Sequence, residues 1–572
     1  MPAALAAGHV GNVPDGAHDG GVAVAMGLDA GAWRALDTVV ASVFVALPVG
    51  TRATRAGMGT ALVMAGAGAT VYALARRLAG ARAPGRRAGL FAAAIATLAA
   101  VCAPPWQLEG AVAAGSATGG LLALLPLAVL TGAGEPGVSR GRLAALALGL
   151  AIGYEPLVGA AALGSCVAWG LSSPARARWL GVLRADGATL GAYLAAGLGL
   201  LLVALVRARW AGVPPLEALG DGWAGDRGAS PVGSSSAFGR AEIGPVLGAL
   251  AGGGVVLAAL APRARPLGAG LLAVVLVGAL GIEAGAPAGP TRFGGAVLAA
   301  TAAACALATV SMQAVVAAIA DAKLPLSRAS AAMVLLLLLA LPVDKADESL
   351  VRALPLASGA ASVWDDVAWG ELPPRTVVLA TDRRLWRRAA AARATGSLRG
   401  DIAVVPTFAH GPPAARVLAR GVELVPLWRD LELSGAPTED TLSTLSTVRP
   451  VAMAFEPRWG RVLGRHLVPA ALLDRFEPEP RGASDRRRAL DVSVRARERL
   501  ARALTHDPDL TQAAVVLLRA RALGLAMGGD RDLVGRAVED VHAFAPDDPV
   551  AAAIVARVVL GKGATRLDDL RP

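Results

Sequence analysis

Three acids in the first half of the chain stand in apolar or glycine-rich surroundings. Asp19 lies in GAHDGGVAVAMG (residues 16–27), Glu109 in PPWQLEGAVAAG, and Glu155 between two apolar runs in LGLAIGYEPLV. A carboxylate so placed can take a proton from a nucleophile, or hold a divalent metal that activates one. Plainer readings stand beside these. Asp19 reads equally as a loop acid without chemistry, and Glu155 as a residue that touches water at a membrane interface. Arg207 and Arg209 follow an apolar run beside Trp210, a pattern that also marks interfacial anchoring. The six histidines show no metal-ligand spacing, and Cys102, Cys166 and Cys305 are far apart with no CxxC pair.

The elements that must position these residues are membrane helices. Of the 572 residues 55% are hydrophobic and only 17% charged, against about 45–50% and about 25% in soluble domains. Mean hydropathy is +0.54. The apolar excess lies almost wholly before about residue 343. Runs long enough to cross a membrane, or nearly so, occur at about 56–75, 88–104, 117–132, 143–153, 156–171, 187–206, 242–261, 267–284, 292–320 and 329–343. Residues 143–171 read either as one long tilted helix or as two short ones turning at GYEP. Arg clusters at both ends, with Gly153 and Pro156 between, favour two. Helices broken at membrane depth often line a cavity. The opening MPAALAAGHVGN has no basic n-region, so no signal peptide is predicted.

Charge sets the expected orientation. With Arg76, Arg77, Arg82, Arg86 and Arg87 in the cytoplasm, alternation brings Arg140/Arg142, Arg176/Arg178/Arg184, Arg263/Arg265 and Lys323/Arg328 to the same side. That side then holds 14 bases and 3 acids, and the other side 8 bases and 11 acids. The Asp19 segment and the C-terminal part are thereby predicted to be extracytoplasmic. Bases gathered in short loops between apolar runs argue against a nucleic-acid partner, although the pI is near 10.6.

Four parts are expected: an interfacial segment with Asp19 (1–50), a transmembrane region (51–343), a soluble α/β unit (344–484) and a helical hairpin (485–572). In the α/β unit, TVVLAT (376–381), DIAVVP (401–406), VELVPLW (422–428) and RPVAMAFEP (449–457) read as strands of a mainly parallel sheet. TDRRLWRRAAAARATGSLRG reads as a solvated helix, with Asp382 an N-cap or turn acid. DPD at 507–509 and PDD at 546–548 recur 39 residues apart, near a tetratricopeptide period.

The order of features resembles a bacterial family of multi-pass proteins in the GT-C glycosyltransferase superfamily, related to the animal transmembrane O-mannosyltransferases. HDGGVAVAMGLDAGAWRALDTVVASVFVALPVGTRATRAG is similar to that family's N-terminal acidic segment, with Asp19 matching its acid. PPWQLEGAVAAGSATGGLLAL, LGLAIGYEPLV, LPPRTVVLATDRRLW and RPVAMAFEP are similar to later segments. The chain departs from the family pattern too. The family's Glu after the Asp is Val22, its His-Pro-Pro run is AGAWRA (30–35), and its Asn-His pair is Tyr154-Glu155. Family members carry a transmembrane helix ahead of the Asp, whereas eighteen residues precede Asp19. That helix is expected to be either lost or encoded upstream.

The resemblance implies a polytopic α-helical membrane protein of about ten transmembrane helices, GT-C-like, with a C-terminal extracytoplasmic α/β plus helical-hairpin (TPR-like) domain. It implies transfer of a sugar from a polyprenyl-phosphate donor to an envelope protein or glycan, with Asp19 as the catalytic or metal-binding acid. Glu109 and Glu155 then stand in for the lost partners, and Arg207 and Arg209 meet the lipid phosphate. The alternative is a catalytically eroded member acting as a membrane scaffold or binding protein. A transporter is a third reading, suggested only by the break near 153–156.

Overall fold

The computed structural model describes residues 33–48, 50–82, 87–132, 137–210, 214–216, 218–219, 234–283, 294–322, 327–357, 359–407, 421–505 and 507–561. Asp19 lies outside the described residues.

The apolar half is helical. Its elements are α1 (Ala35–Val45), α2 (Arg52–Arg82), α3 (Arg87–Val101), α4 (Pro104–Gly110), α5 (Ala117–Leu130), α6 (Val138–Tyr154), α7 (Pro156–Ser172) and α8 (Arg176–Trp210). They continue as α9 (Pro245–Leu260), α10 (Arg265–Glu283), α11 (Gly295–Ala320), α12 (Ser327–Leu338) and α13 (Ala340–Ala357). The core is built largely from alanine, leucine and valine around α11, whose Leu298, Ala302, Ala306 and Val310 are fully enclosed. Small side chains let helix backbones approach where no water is available to drive association. Toward the outside, α8 and α12 carry exposed Leu202, Val203, Leu336 and Leu337. These suit contact with lipid.

Among the described residues, six helices are long and apolar enough to cross a membrane, or eight if each bent pair is one span. The sequence suggests about ten. The difference arises because the runs at 117–132, 143–153 and 156–171 fold as helices of 14, 17 and 17 residues. A perpendicular crossing needs roughly 20. One of the six, Leu510–Gly528, belongs to the C-terminal core. The chain does break at GYEP: Glu155 is extended and Pro156 opens α7, where its missing N–H costs nothing. The last apolar run does not stop at 343 but continues as α13, whose Ser349 hydroxyl donates to the Cys102 carbonyl at 2.5 Å.

Contacts sort the helix ends into two groups that agree with the charge pattern. At one end, Arg34, Ala114 and Tyr154 meet. At the other, Arg77 reaches Ala128 and Thr131, Arg140 reaches Gly132, and Arg142 pairs with Asp186.

The C-terminal half begins with α14 (Ala360–Asp365) and continues β1 (Val377–Ala380), α15 (Arg383–Thr395), β2 (Ala403–Pro406), α16 (Val425–Ser434), α17 (Glu439–Val448) and β3 (Val451–Met453). It ends α18 (Gly460–His466), β4 (Leu467–Val468), β5 (Asp474–Phe476), α19 (Ala483–Ala503), α20 (Pro508–Gly528), α21 (Arg531–His542) and α22 (Pro549–Val558). The sheet order is β2-β1-β3-β5-β4. β1 pairs in parallel with β2 and β3, whereas β5 pairs antiparallel with β3 and β4, so the sheet is mixed. The stretch 422–428 is not a strand. Pro426 stands in the first turn of α16, where its fixed φ suits a helix and its missing N–H would break a ladder. The Asp507 and Asp548 carboxylates each accept the backbone N–H three residues on, at 3.0 and 2.7 Å, so both recurring acids are helix caps. α15 is less solvated than its arginines suggest: Leu385, Arg388, Ala389, Ala391 and Ala392 are all buried.

Candidate functional site

The site grows from a turn. Pro104 and Pro105 open α4, which stops at Gly110. A Cβ at Gly115 would fall 1.7 Å from the Glu109 carbonyl oxygen, so glycine alone fits there. Ala114, just before it, takes a left-handed φ of 51°, which strains an L side chain. The Ser116 N–H donates to Glu109 Oε2 at 2.9 Å and closes the turn. The Trp106 indole N–H donates to the Leu298 carbonyl at 2.9 Å and ties the turn to α11.

Arg34 inserts between this turn and the α6–α7 break. Its own φ is 63°, a second left-handed side-chain-bearing residue. Its backbone N–H donates to the Tyr154 carbonyl at 3.0 Å. Its Nε donates to Asp37 Oδ2 at 3.1 Å and to the Tyr154 hydroxyl at 3.0 Å. One terminal N–H group reaches the Ala114 carbonyl at 2.7 Å and Ser116 Oγ at 3.4 Å. The Tyr154 hydroxyl in turn donates to Asp37 Oδ2 at 2.7 Å, and Thr118 also hydrogen-bonds Asp37. Asp37 lies in the first turn of α1, where the helix dipole favours an anion.

Glu155 faces the same group. Its carboxylate and that of Glu109 interact electrostatically with the Arg34 guanidinium, and Glu155 also accepts a backbone hydrogen bond from Gly295. Arg34, Asp37, Glu109 and Tyr154 are buried; Glu155 is half-buried and is the least enclosed acid of the group. Among the described residues one guanidinium thus faces three carboxylates. Two of them, Glu109 and Glu155, were singled out in the sequence and lie some 46 positions apart in it.

Among the described residues, Arg209 is not joined to this cluster. Arg207 and Arg209 lie in the last turn of α8; Arg209 is exposed, without a hydrogen bond or ion pair among the described residues, and the Arg207 side chain is outside the description. No group of three or more His, Cys, Asp and Glu that could hold a metal occurs among the described residues. Sequence reading missed Arg34, Asp37 and Tyr154. The available signal was a charged pair three residues apart at the start of an apolar helix.

The C-terminal half touches this end of the bundle. Ala391 and Ala394 of α15 pack with Ala41, Ala56, Ala113 and Ala114, so α15 lies against the strained turn.

No protein-family model matches the sequence, and no curated protein sequence matches it. Solved structures do resemble it. ArnT from Cupriavidus metallidurans bound to undecaprenyl phosphate has a TM-score of 0.50 at 17% identity, over 79% of this chain and 91% of that one. The same protein in the apo state gives 0.49 at 16%, over 84% and 97%. The archaeal oligosaccharyltransferase AglB from Archaeoglobus fulgidus, in complex with an inhibitory peptide and a dolichol-phosphate, gives 0.40 at 11%, over 74% and 61%. The first likeness shows the fold: this is a polytopic α-helical membrane protein with a GT-C-like fold.

Proposed function

We propose that the protein is a membrane glycosyltransferase that moves a sugar from a polyprenyl-phosphate donor to an envelope protein or glycan on the extracytoplasmic side. The observation that carries this reading is a buried cluster of one guanidinium and three carboxylates at one end of a GT-C-like bundle, with Glu155 left partly open. In such a transfer the acceptor oxygen or nitrogen bonds to the anomeric carbon, and the bond from that carbon to the donor phosphate breaks. The polyprenyl phosphate leaves with the electron pair, and a carboxylate takes the acceptor's proton. Glu155 is the described acid best exposed for that role. Asp19, matched to the family acid, is the second candidate, as base or as a metal ligand. Glu109 and Asp37 hold the turn and Arg34 in place, and Arg207 and Arg209 serve the donor phosphate from the end of α8. The orientation rests on the excess of bases in the loops at the opposite end.

A second reading has its own observation. Arg34, Asp37 and Tyr154 bond one another mutually, as a structural staple would. On that reading the chain is a catalytically eroded scaffold or binding protein of the envelope, with a TPR-like C-terminal hairpin as its docking element. Glycolipid and glycoprotein profiles of cells carrying only Glu155→Gln or Asp19→Asn distinguish the two. Transfer predicts loss of a glycan in at least one variant at unchanged protein level. Full glycan production by both would sink it.

A further inference from the structure

Helix α19 divides its arginines into two sets. Arg486 and Arg497 are buried and each meets an acid, Arg486 with Asp530 and Arg497 with Asp540 at 2.9 Å. Arg488, Arg495, Arg499 and Arg502 are exposed. At 3.6 residues per turn these four and Val492, itself 78% exposed, fall within one sector of about 80°. The helix's own acids Asp485, Asp491 and Glu498 lie outside that sector, and Asp491 is already engaged by Arg536 at 2.8 Å. Among the described residues Arg488 and Arg495 make no hydrogen bond or ion pair, and Arg502 donates to the Glu498 carbonyl at 3.3 Å. The stripe runs from Arg488 to Arg502, about 21 Å at 1.5 Å per residue.

Two contacts tie this stripe to the neighbourhood of the membrane helices. Arg499 Nη2 meets Asp366 Oδ2 at 2.9 Å, and the adjacent Asp365 meets Arg388 of α15 at 2.7 Å. Ala391, one turn beyond Arg388, packs against Ala41, Ala56, Ala113 and Ala114 at the bundle end. Packed helices stand about 8–10 Å apart, so α19 lies within about 20 Å of the helix that touches the bundle. Because Arg499 belongs to the stripe and bonds the segment that follows α13, the stripe looks toward the side on which the chain leaves its last apolar span.

We propose that the Arg488, Arg495, Arg499 and Arg502 face of α19 rests on the headgroups of anionic phospholipids in the leaflet beside the C-terminal half. A convex row of cations has no cleft to enclose a small anion, and it matches a broad negative surface. Val492 puts an apolar side chain among the arginines, as helices lying on a membrane interface do. This surface does not depend on the sugar-transfer reading and survives its failure.

The test uses the full-length protein in lipid nanodiscs, with an NBD fluorophore on Val492→Cys in a Cys166→Ala background, since Cys102 and Cys305 are buried. In discs that hold phosphatidylglycerol, doxyl-labelled lipid should quench the fluorophore; in pure phosphatidylcholine discs it should not. About 1 M salt, where screening acts over about 3 Å, should abolish the quenching. The ratio of seated to free helix should fall roughly thirty-fold in Arg488→Gln/Arg495→Gln and roughly five-fold in Arg488→Gln alone. Arg488→Lys/Arg495→Lys should keep most of the effect. Arg429→Gln/Arg531→Gln removes the same charge from exposed positions elsewhere in this half and should behave as the parent does. Equal loss in that control, or equal quenching in phosphatidylcholine discs, would overturn the lipid surface. So would a fluorophore untouched by labelled lipid but shifted by dextran sulfate, which would assign the stripe to an acidic polymer.

Discussion

Two buried arginines, one in each half of the molecule, make opposite use of their surroundings. Arg388 of α15 meets Asp365 with two nitrogens, at 2.9 and 2.7 Å, and Ser397 and the Trp369 indole bond the same carboxylate. One cation faces one anion from regular helical backbone. Arg34 stands on left-handed backbone beside a second strained residue, and it faces three acids. A balanced pair on relaxed backbone needs no explanation beyond the fold. Three carboxylates around one described guanidinium on strained backbone are a costlier arrangement, and strain of that kind gathers at sites that do something. The contrast is the physical reason why the proposed site lies at the bundle end and not in the C-terminal core.

The contrast can be broken by mutation. Arg388→Met leaves Asp365 as a buried charge without its cation and should destabilise the chain by about 3–5 kcal/mol, with Arg388→Met/Asp365→Leu recovering much of it. Thermal melts monitored by size-exclusion in detergent would show this, and equal melting of the single and double variants would contradict it. Glu155→Gln should leave the melting midpoint unchanged or slightly higher, because it removes one of three acids that face a single described guanidinium, while lowering sugar transfer about a hundredfold or more. A parallel fall in both would make Glu155 structural. Gly119→Val should cost about 1–3 kcal/mol by overpacking, and it should disturb the Tyr154 side more than the Arg388 core in hydrogen exchange. The smallest effect is expected from Ala114→Gly. Relieving the left-handed strain should add about 1 kcal/mol of stability. If that strain serves the site, transfer falls as stability rises, and unchanged transfer would separate the two.

How much of this could be read from the residues alone varied with the range of the interaction. Local signals did well. Pro156 and the flanking arginines placed the α6–α7 break, and the β-branched runs near 377–380, 403–406 and 451–453 became strands. The run 422–428 misled because it is apolar and short, where period cannot separate strand from helix, and Pro426 decided for the helix. β4 and β5 are two and three residues long, too short for any pattern. Glu109 and Glu155 stood out as acids between apolar runs. Their partner did not: Arg34 lies 120 positions from Tyr154, and the charged pair Arg34 and Asp37 in AGAWRALD marks a helix start without announcing that both charges will be sealed. The strain at Ala114 is likewise invisible, since alanine carries no mark of a left-handed backbone.

One close approach beneath the cluster limits how a lipid could get there. A Cβ on Gly119 would fall 2.9 Å from both Gly295 Cα and Tyr154 Cε1, so α5 and α11 run with their backbones in contact beside Tyr154. That seam is shut to an acyl chain. If the sugar-transfer proposal holds, a long isoprenoid tail reaching Glu155 would have to approach along some other flank of the bundle, and the crossing of two glycines would narrow its route before it met a single charged group.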